Sequence, residues 1–276
     1  MLTDLNTLLE IAEKRGCAIP AFNVYNQETV MGALDAAAET DSVVILQIYS
    51  RLFDSVEAEF LAPSILAAAH RSKVKVALHL DHGSSDNAVA KALRLGCTGV
   101  MRDASSLPYE QNVAVVKNVA ELAHTVGVPI EGELGHIGVA KDGVSTEYTK
   151  ADEAADYVKQ TGVDALAILV GTAHGHYKQA PVLALDRIAE IHAATKAHLV
   201  LHGGSGVPDD QIKAAIQRGI RKINFSTDLC CSYLDAIRKV SPDIIAVDMF
   251  MKEPIQAAKR FCLSKIELLG SEHSNA

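Results

Sequence analysis

The sequence contains no tryptophan, few aromatic residues and no long apolar run. Aromatic residues make up only 5% of the 276 residues, so Ala, Val, Ile and Leu must fill the interior. No apolar run approaches the roughly 20 residues that a membrane-spanning helix requires. Charged residues interrupt residues 1–16, where a signal peptide would carry its apolar segment. We therefore expect a cytoplasmic protein with no membrane partner.

Paired cysteines and basic clusters are also missing. The five cysteines are odd in number and show no CxxC spacing, which argues against a disulfide framework. The formal net charge is −8, and Lys and Arg form no cluster. This charge pattern argues against a nucleic-acid partner. An anionic substrate would have to be held by local backbone dipoles and a few side chains.

Short apolar runs alternate with longer segments of helical periodicity. Eight runs are predicted to be strands, at residues 18–24, 43–47, 74–80, 99–102, 128–133, 165–170, 198–201 and 222–225. The amphipathic segments between them are predicted to be helices, at residues 28–39, 56–69, 87–95, 110–125, 152–160, 183–193 and 209–217. Alternating strands and helices are typical of a parallel sheet.

We predict an α/β protein with a single (β/α)₈ TIM barrel. The regular repeat and the absence of a GxGxxG motif after the first strand favour the closed barrel over an open doubly wound sheet. No linker divides the chain, so residues 1–276 are expected to form one domain. Within it, residues 241–276 are predicted to be a C-terminal extension, with one or two helices in 241–269 and a frayed tail in 270–276.

Polar residues follow the predicted strands at their carboxyl ends, where this fold gathers its active site. These residues are Asn23, Gln47, Asp81, His82, Asp103, Glu133, His174, His202, Asn224 and Ser226. Turn propensity explains some Asn, Asp and Ser residues. It does not explain three histidines together with three acids.

His82, His174 and His202 follow the third, sixth and seventh predicted strands. Three histidines with an open fourth position form a common catalytic zinc environment. A single histidine at a strand end is more often a hydrogen-bonded loop residue, but three at equivalent ends predict a metal site. Asp81, next to His82, either orients a ligand or acts as a general acid or base. The spacing leaves both roles open.

Glycine-rich segments follow the last three predicted strands: GTAHGH at 171–176, HGGSG at 202–206 and NFSTD at 224–228. Backbone amides in such loops, together with a helix N-terminus, can bind an anion. Loops after strands seven and eight are the usual phosphate site of this barrel. The alternative is that Gly makes turns and that Ser226, Thr227 and Asp228 cap the eighth helix. Capping and phosphate binding are compatible.

Seven segments in order along the chain resemble the class II (zinc-dependent) ketose-bisphosphate aldolases, the fructose- and tagatose-bisphosphate aldolase family. They are PAFNVYN (20–26), ALHLDHG (77–83), VMRDAS (100–105), IEGELGHIG (130–138), VGTAHG (170–175), LVLHGGSG (199–206) and KINFSTDL (222–229). The resemblance covers nearly the whole chain. It implies reversible cleavage of a ketose 1-phosphate or ketose bisphosphate into dihydroxyacetone phosphate and an aldehyde.

The resemblance also implies the roles of matching residues. His82, His174 and His202 would hold Zn²⁺, and Asp81 would carry the proton of the C4 hydroxyl. Asp103 and Glu133 match acids near the metal that offer an alternative ion position in some members. The phosphate and the ketone would contact Gly175, Gly203, Ser205, Asn224, Ser226 and Thr227. A monovalent cation, Na⁺ or K⁺, and a homodimer or homotetramer are further expectations.

One segment departs from the family pattern. Many members carry Gly-Gly and an acid pair after ELG, and one Glu of that loop moves the C3 proton. This chain has Val139, Ala140 and Lys141 there, and His136, Asp142 and Glu147 are the candidate replacements. The departure argues against strict specificity for fructose bisphosphate. Candidate contacts for the acceptor aldehyde are Asn23, Ser50 and Arg51.

The sequence also bears on three alternative functions. A Schiff-base lysine has no candidate at the strand ends, because Lys222 stands at the start of the eighth predicted strand. A non-catalytic subunit that supports a partner aldolase need not retain the histidines and Asp81. Their presence in this chain therefore argues against that alternative. A zinc-dependent hydrolase would more often place an HxH pair on its first strand, where this chain has none.

Overall fold

The computed structural model describes residues 1–142 and 147–276, apart from the side chain of Asp142. Within these residues, eight parallel strands pair in chain order and close into a barrel. The barrel confirms the predicted (β/α)₈ fold. The strands are β1 (Ile19–Asn23), β2 (Val44–Tyr49), β3 (Val76–Gly83), β4 (Gly99–Arg102), β5 (Ile130–Leu134), β6 (Ala165–Ile168), β7 (His198–Leu201) and β8 (Ile220–Phe225).

Helices surround the barrel and cover one of its ends. They are α1 (Leu5–Arg15), α2 (Gln27–Glu39), α3 (Ser50–Asp54), α4 (Glu57–Arg71), α5 (Asp86–Arg94), α6 (Tyr109–Thr125), α7 (Ala151–Thr161), α8 (Leu185–Ala194), α9 (Asp209–Gln217), α10 (Thr227–Lys239), α11 (Val247–Phe250) and α12 (Lys252–Leu269). Every predicted helix is present, with ends that differ by at most two residues from the prediction. None of the helices in the described ranges is long and apolar enough to cross a bilayer.

Helix α1 was not predicted, and it closes the amino-terminal end of the barrel. The Asp4 carboxylate caps it by accepting a hydrogen bond from the Thr7 backbone N–H at 2.9 Å. Its buried leucines pack into the lower barrel interior with Ala77, Ala165 and Val200. β4 begins with Gly99, where an added Cβ would lie 2.8 Å from the Leu5 Cβ. The Asp4 cap and the apolar spacing 5, 8, 9, 12 were sufficient signals for a helix.

The C-terminal tail corrects the sequence prediction. Residues 270–276 were expected to fray, yet Ser271 and Ser274 are fully buried. Ser274 Oγ accepts a hydrogen bond from the Val43 N–H, and Asn275 Oδ1 accepts one from the Lys75 N–H, both at 2.9 Å. These backbone amides belong to the residues that directly precede β2 and β3. The tail satisfies donors that the sheet leaves open, so it is ordered.

The predicted helical extension is present as α11 and α12. Helix α12 packs against α2 and α10 on the outside of the barrel. Gly32 of α2 permits this close packing, because a Cβ there would lie 2.7 Å from the Ala258 Cβ of α12. At the other end of the barrel, where the strands finish, loops surround the opening.

Candidate active site

Two neighbouring side chains of β3 reach the carboxyl-terminal opening of the barrel. The pairing of β3 with β4 shifts register between Leu80 and Gly83. His82 has a φ of 49°, in the left-handed region that non-glycine residues rarely adopt. A Cβ at Gly83 would overlap the Met101 carbonyl oxygen, so glycine is required there. The bend lets both Asp81 and His82 line one cavity despite their adjacency.

Three histidines converge at this opening. One ring nitrogen from each of His82, His174 and His202 lies within 4.8 Å of the others. His82 Nε2 is 3.0 Å from His202 Nδ1, close to the roughly 3.3 Å expected between adjacent ligands of a tetrahedral zinc with bonds of about 2.05 Å. His174 Nε2 is buried and has no hydrogen-bond partner among the described residues. A metal ion would satisfy this nitrogen.

Carboxylates hold the opposite ring nitrogens of two of these histidines. Asp103 Oδ2 is 2.7 Å from His82 Nδ1, and Glu131 Oε1 is 2.7 Å from His202 Nε2. Ser105 donates two hydrogen bonds to Asp103 Oδ1, from its N–H at 3.0 Å and its hydroxyl at 2.8 Å. Carboxylates of this kind fix the ring orientation of metal-binding histidines. The nitrogens that face one another are therefore the ones available to an ion.

The electrostatics favour positive charge at this point. Burial lowers the pKa of His82, but the carboxylates of Asp81, Asp103 and Glu133 outweigh it and raise the pKa to about 10. Burial, followed by repulsion from Asp103, raises the pKa of Glu133 to about 8. Burial, followed by repulsion from His82, lowers the pKa of His174 to about 4, so this imidazole is neutral. The neutral His174 imidazole can donate its lone pair to a divalent metal, and a metal ion bound at His82 would replace the proton of that imidazole.

A second possible metal-binding group shares His82 with the first. It contains His82, Asp103 and Glu133, whose candidate ligand atoms also lie within 4.8 Å of one another. Glu133 is fully buried, and its Oε1 accepts a hydrogen bond from the Ile137 N–H at 3.1 Å. Its Oε2 has no hydrogen-bond partner among the described residues and lies 3.4 Å from His202 Nδ1. An ion could therefore lie on either side of His82.

Asp81 is held differently from Asp103. Its Oδ2 accepts a hydrogen bond from Asn23 Nδ2 at 2.7 Å, and its Oδ1 accepts one from Asn224 Nδ2 at 3.0 Å. Its distance to His82 Nε2 is 3.9 Å, which is longer than a hydrogen bond. Asp103 therefore orients His82, and Asp81 is a positioned carboxylate beside the metal ligands. This arrangement favours the acid–base role over the orienting role.

The site opens into a cavity of about 680 Å³, a typical size for a small-molecule site. Most of the residues predicted for the site line it: Asn23, Arg51, Asp81, His82, Asp103, His174, Gly175, Gly203, Ser205, Asn224, Ser226 and Thr227. His202 and Glu133 are fully buried behind this lining. Ser50 was predicted to contact the acceptor, but it is buried outside the lining, where its hydroxyl bonds to Ser84 at 3.0 Å. It supports Ser84, which does line the cavity.

One end of the cavity is suited to an anion. Helix α10 begins there, and Ser226 at its N-cap makes no side-chain capping bond to the helix. The Ser226 hydroxyl pairs instead with Tyr25 Oη at 2.8 Å. Gly203 has a φ of 66°, and a Cβ there would overlap the Ala173 carbonyl oxygen. The helix N-terminus and the glycine backbone thus face the cavity with little side-chain bulk.

Comparison with known proteins agrees with this geometry. The family model described as "Fructose-bisphosphate aldolase class-II" matches residues 3–274. A probable fructose-bisphosphate aldolase of Bacillus subtilis strain 168 is 38% identical, and the match covers 99% of each chain. A sulfofructosephosphate aldolase of Alkalicoccus urumqiensis is 38% identical over 86% of this chain and 84% of that protein. The crystal structure of the YdjI aldolase from Escherichia coli K12 is 34% identical with a TM-score of 0.92, and the match covers 100% of both chains.

The chain belongs to the class II fructose-bisphosphate aldolase family. It is therefore an enzyme, a lyase of a family that acts on phosphorylated sugars.

Beneath the candidate site lies a polar layer that includes Glu131, which the sequence analysis did not single out, and His79, which the sequence predicts to be a structural or supporting residue. Lys222 Nζ donates to Glu131 Oε2 at 2.9 Å and to Asn224 Oδ1 at 2.8 Å, and all three side chains are buried inside the barrel. Glu131, Lys222 and His79 each stand two residues before an assigned site residue. Because side chains alternate along a strand, residues two apart lie on the same face. This spacing therefore indicated that these side chains also point into the barrel. The buried Lys222 supports the site from below and does not line the cavity.

Two tyrosines were also missed. Tyr25 and Tyr49 line the cavity, each two residues beyond Asn23 or Gln47. The Arg51 guanidinium lies 5.3 Å from the Tyr25 ring centroid and 5.1 Å from that of Tyr49. Cation–π contacts of this kind restrict the arginine to one region of the cavity wall.

The loop whose sequence differs from the family pattern is described only in part. His136 lines the cavity, and Glu147 is exposed. The side chain of Asp142 and residues 143–146 lie outside the described residues. Val139 forms a parallel bridge with His174, which brings this loop against a candidate metal ligand.

Proposed function

We propose that this enzyme is a zinc-dependent aldolase that reversibly cleaves a ketose 1-phosphate or ketose bisphosphate to dihydroxyacetone phosphate and an aldehyde. One observation carries the proposal. Three imidazole nitrogens converge within 4.8 Å, beside a carboxylate that two amides hold at the same cavity. Family membership supports the reaction type.

His82, His174 and His202 would hold the zinc, whose Lewis acidity would stabilise negative charge on the oxygens of the departing ketone. Asp81 removes the proton of the C4 hydroxyl to start cleavage, and returns it in the condensation direction. The Asn23 and Asn224 amides keep its carboxylate turned towards the cavity. Asn224 is in turn oriented by Lys222. The monovalent cation near the phosphate, Na⁺ or K⁺, belongs to this proposal.

The phosphate of the ketone binds at the α10 end of the cavity. The N-terminal amides of α10 and the Gly175 and Gly203 backbone supply donors and a favourable dipole. Ser205 is already positioned there by the Asp228 N–H, which donates to its hydroxyl at 3.2 Å. Dihydroxyacetone phosphate is therefore a far better donor than free dihydroxyacetone.

The acceptor aldehyde binds at the β1–β2 side of the cavity. Asn23 and Arg51 lie on that wall, and the rings of Tyr25 and Tyr49 hold the guanidinium. A guanidinium held in this way binds an anionic or hydroxyl-rich aldehyde through several N–H donors.

Zinc-loaded protein should be screened against a panel of ketose 1-phosphates and ketose bisphosphates. Release of dihydroxyacetone phosphate, detected with a coupled dehydrogenase, supports the proposal. Condensation should then be measured with matched neutral and phosphorylated aldehydes for the wild type and Arg51→Gln. No cleavage of any member of the panel, with zinc bound at one equivalent, would reject the proposed reaction.

We also infer a homodimer or homotetramer located in the cytoplasm. Light scattering on the purified protein measures the first, and cell fractionation tests the second. A monomer at micromolar concentration would contradict the oligomer.

A further inference from the structure

The cavity contains one imidazole that the proposed reaction has not yet used. Among the described residues, the carboxylates and imidazoles of its lining are those of Asp81, His82, Asp103, His136 and His174. His82 and His174 are the proposed metal ligands, and Asp103 is hydrogen-bonded to His82 and Ser105. Asp81 is the proposed proton carrier of the C4 hydroxyl. The reaction needs a second proton carrier, at C3 of the ketone fragment. His136 is the remaining group.

The hydrogen bonds of His136 determine which ring nitrogen can accept a proton. His136 Nδ1 is 3.0 Å from Ser105 Oγ, and the Ser105 hydroxyl donates its proton to Asp103 Oδ1 at 2.8 Å. A hydroxyl has one proton, so Ser105 Oγ must accept the proton of Nδ1. The neutral imidazole then carries its lone pair on Nε2. No hydrogen bond to Nε2 occurs within residues 1–142 and 147–276.

The backbone that follows His136 is held by three hydrogen bonds. The Ile137 N–H donates to Glu133 Oε1 at 3.1 Å. The Ala140 N–H donates to the His174 carbonyl at 2.8 Å, and the His174 N–H donates to the Gly138 carbonyl at 2.9 Å. The segment that carries His136 is therefore tied to a metal ligand and to a buried acid. Positioning of this kind is what proton transfer to a fixed carbon requires.

Electrostatic reach supports the same placement. Burial and the charge of His82 are the main causes that lower the pKa of His174, and His136 contributes further repulsion. His136 therefore lies near His174, one of the three converging histidines. Residues 139–141 of the loop are Val, Ala and Lys and offer no carboxylate for the step.

We propose that His136 is the proton carrier at C3 of dihydroxyacetone phosphate. In condensation, Nε2 takes the C3 proton, and the electron pair of the broken C–H bond becomes part of the ene-diolate that attacks the aldehyde. In cleavage, the C3–C4 bond breaks, the aldehyde leaves, and the His136 imidazolium returns its proton to C3. This assignment rests on the proposed aldol reaction.

The test uses His136→Asn, whose side-chain amide can keep the bond to Ser105 but has no base at the Nε2 position. His176→Asn is the matched control, because His176 contacts Cys231 and lies outside the cavity lining. Exchange of the C3 proton of dihydroxyacetone phosphate is followed by NMR in D₂O on zinc-loaded proteins. We expect exchange to fall by about 10² to 10⁴ in His136→Asn and to stay at the wild-type rate in His176→Asn.

A second measurement separates catalysis from structure. His136→Asn should still release aldehyde in a single-turnover burst, and the ene-diolate that accumulates should reduce added ferricyanide. Imidazole in the buffer should restore part of the exchange in His136→Ala. Wild-type exchange in both His136 variants, or loss of exchange in Glu147→Gln or Asp142→Asn with His136 intact, would overturn the assignment. A wild-type enzyme that neither exchanges C3 nor cleaves any ketose phosphate would instead reject the proposed function.

Discussion

Asp81 and Asp103 are carboxylates beside the same histidine, but their partners differ. Asp103 bonds directly to the His82 ring at 2.7 Å. Asp81 is held by amide donors from β1 and β8 and stays 3.9 Å from the ring. Removing the charge of each should therefore have a different consequence. We propose that Asp103 supports the metal ligand His82 and that Asp81 exchanges protons with the substrate.

Asp81→Asn should keep zinc bound and lower kcat by about 10² to 10⁴, because the amide has nearly the same shape but accepts no proton. Metal content by atomic emission and steady-state cleavage rates measure the two effects. Asp103→Asn is the matched change and should weaken zinc affinity by about 10- to 100-fold. If Asp81→Asn lost zinc and regained full activity in excess zinc, Asp81 would be an orienting residue.

At the scale of elements, α1 closes the barrel on the side opposite the cavity. Leu8 and Leu9 are fully buried against inward-facing residues of the strands. The helix thereby completes a core that the strands alone leave open at one end. Stability and catalysis are thus located at opposite ends of the barrel, as is general for this fold.

Leu9→Ala should destabilise the protein by about 2–5 kcal/mol, since it removes buried methyl groups and leaves a cavity. Leu122→Ala on α6, where the side chain is 48% exposed, is the control and should change stability by less than about 0.5 kcal/mol. Urea unfolding followed by circular dichroism measures both. Zinc affinity should be unchanged in both variants, and a loss in Leu9→Ala would show that α1 also shapes the site.

For the whole molecule, the proposed metal would connect strands that are distant in sequence. Its ligands follow β6 and β7 and lie within β3, so bound zinc crosslinks the carboxyl-terminal rim. We propose that residues 1–276 form one domain, and a single cooperative melting transition is then expected. Any ligand that binds only the folded state raises its stability by mass action.

Zinc at 100 times its dissociation constant should stabilise the wild type by about 2.7 kcal/mol and raise Tm accordingly. His202→Ala should lose this gain because it removes a buried ligand. His70→Ala, on an exposed residue of α4, should keep it. Differential scanning calorimetry with and without a chelator measures the shifts. Equal zinc-dependent shifts in His202→Ala and the wild type would contradict the proposed ligand set.

Much of the fold and of the candidate site could be predicted from the sequence, because these features depend on local patterns. Strand and helix periodicity determined the element order, and the order required parallel pairing. The polar strand ends identified part of the cavity lining: Asn23, Asp81, His82, Asp103, His174, Asn224 and Ser226. The glycine-rich segments and the family resemblance added Arg51, Gly175, Gly203, Ser205 and Thr227. α1 and the second inward layer of Glu131 and Lys222 also had local signals, in apolar spacing and in alternation.

Tertiary structure decided which of these residues contact one another. Ser50 and Arg51 are adjacent in sequence, but one is buried against Ser84 and the other faces the cavity between two tyrosines. The roles proposed for Asp81 and Asp103 depend on which carboxylate reaches the His82 ring. The tail that was expected to fray is ordered by open donors of the residues just before β2 and β3. Sequence periodicity specifies the face of an element, whereas distances across the barrel depend on strand register and closure.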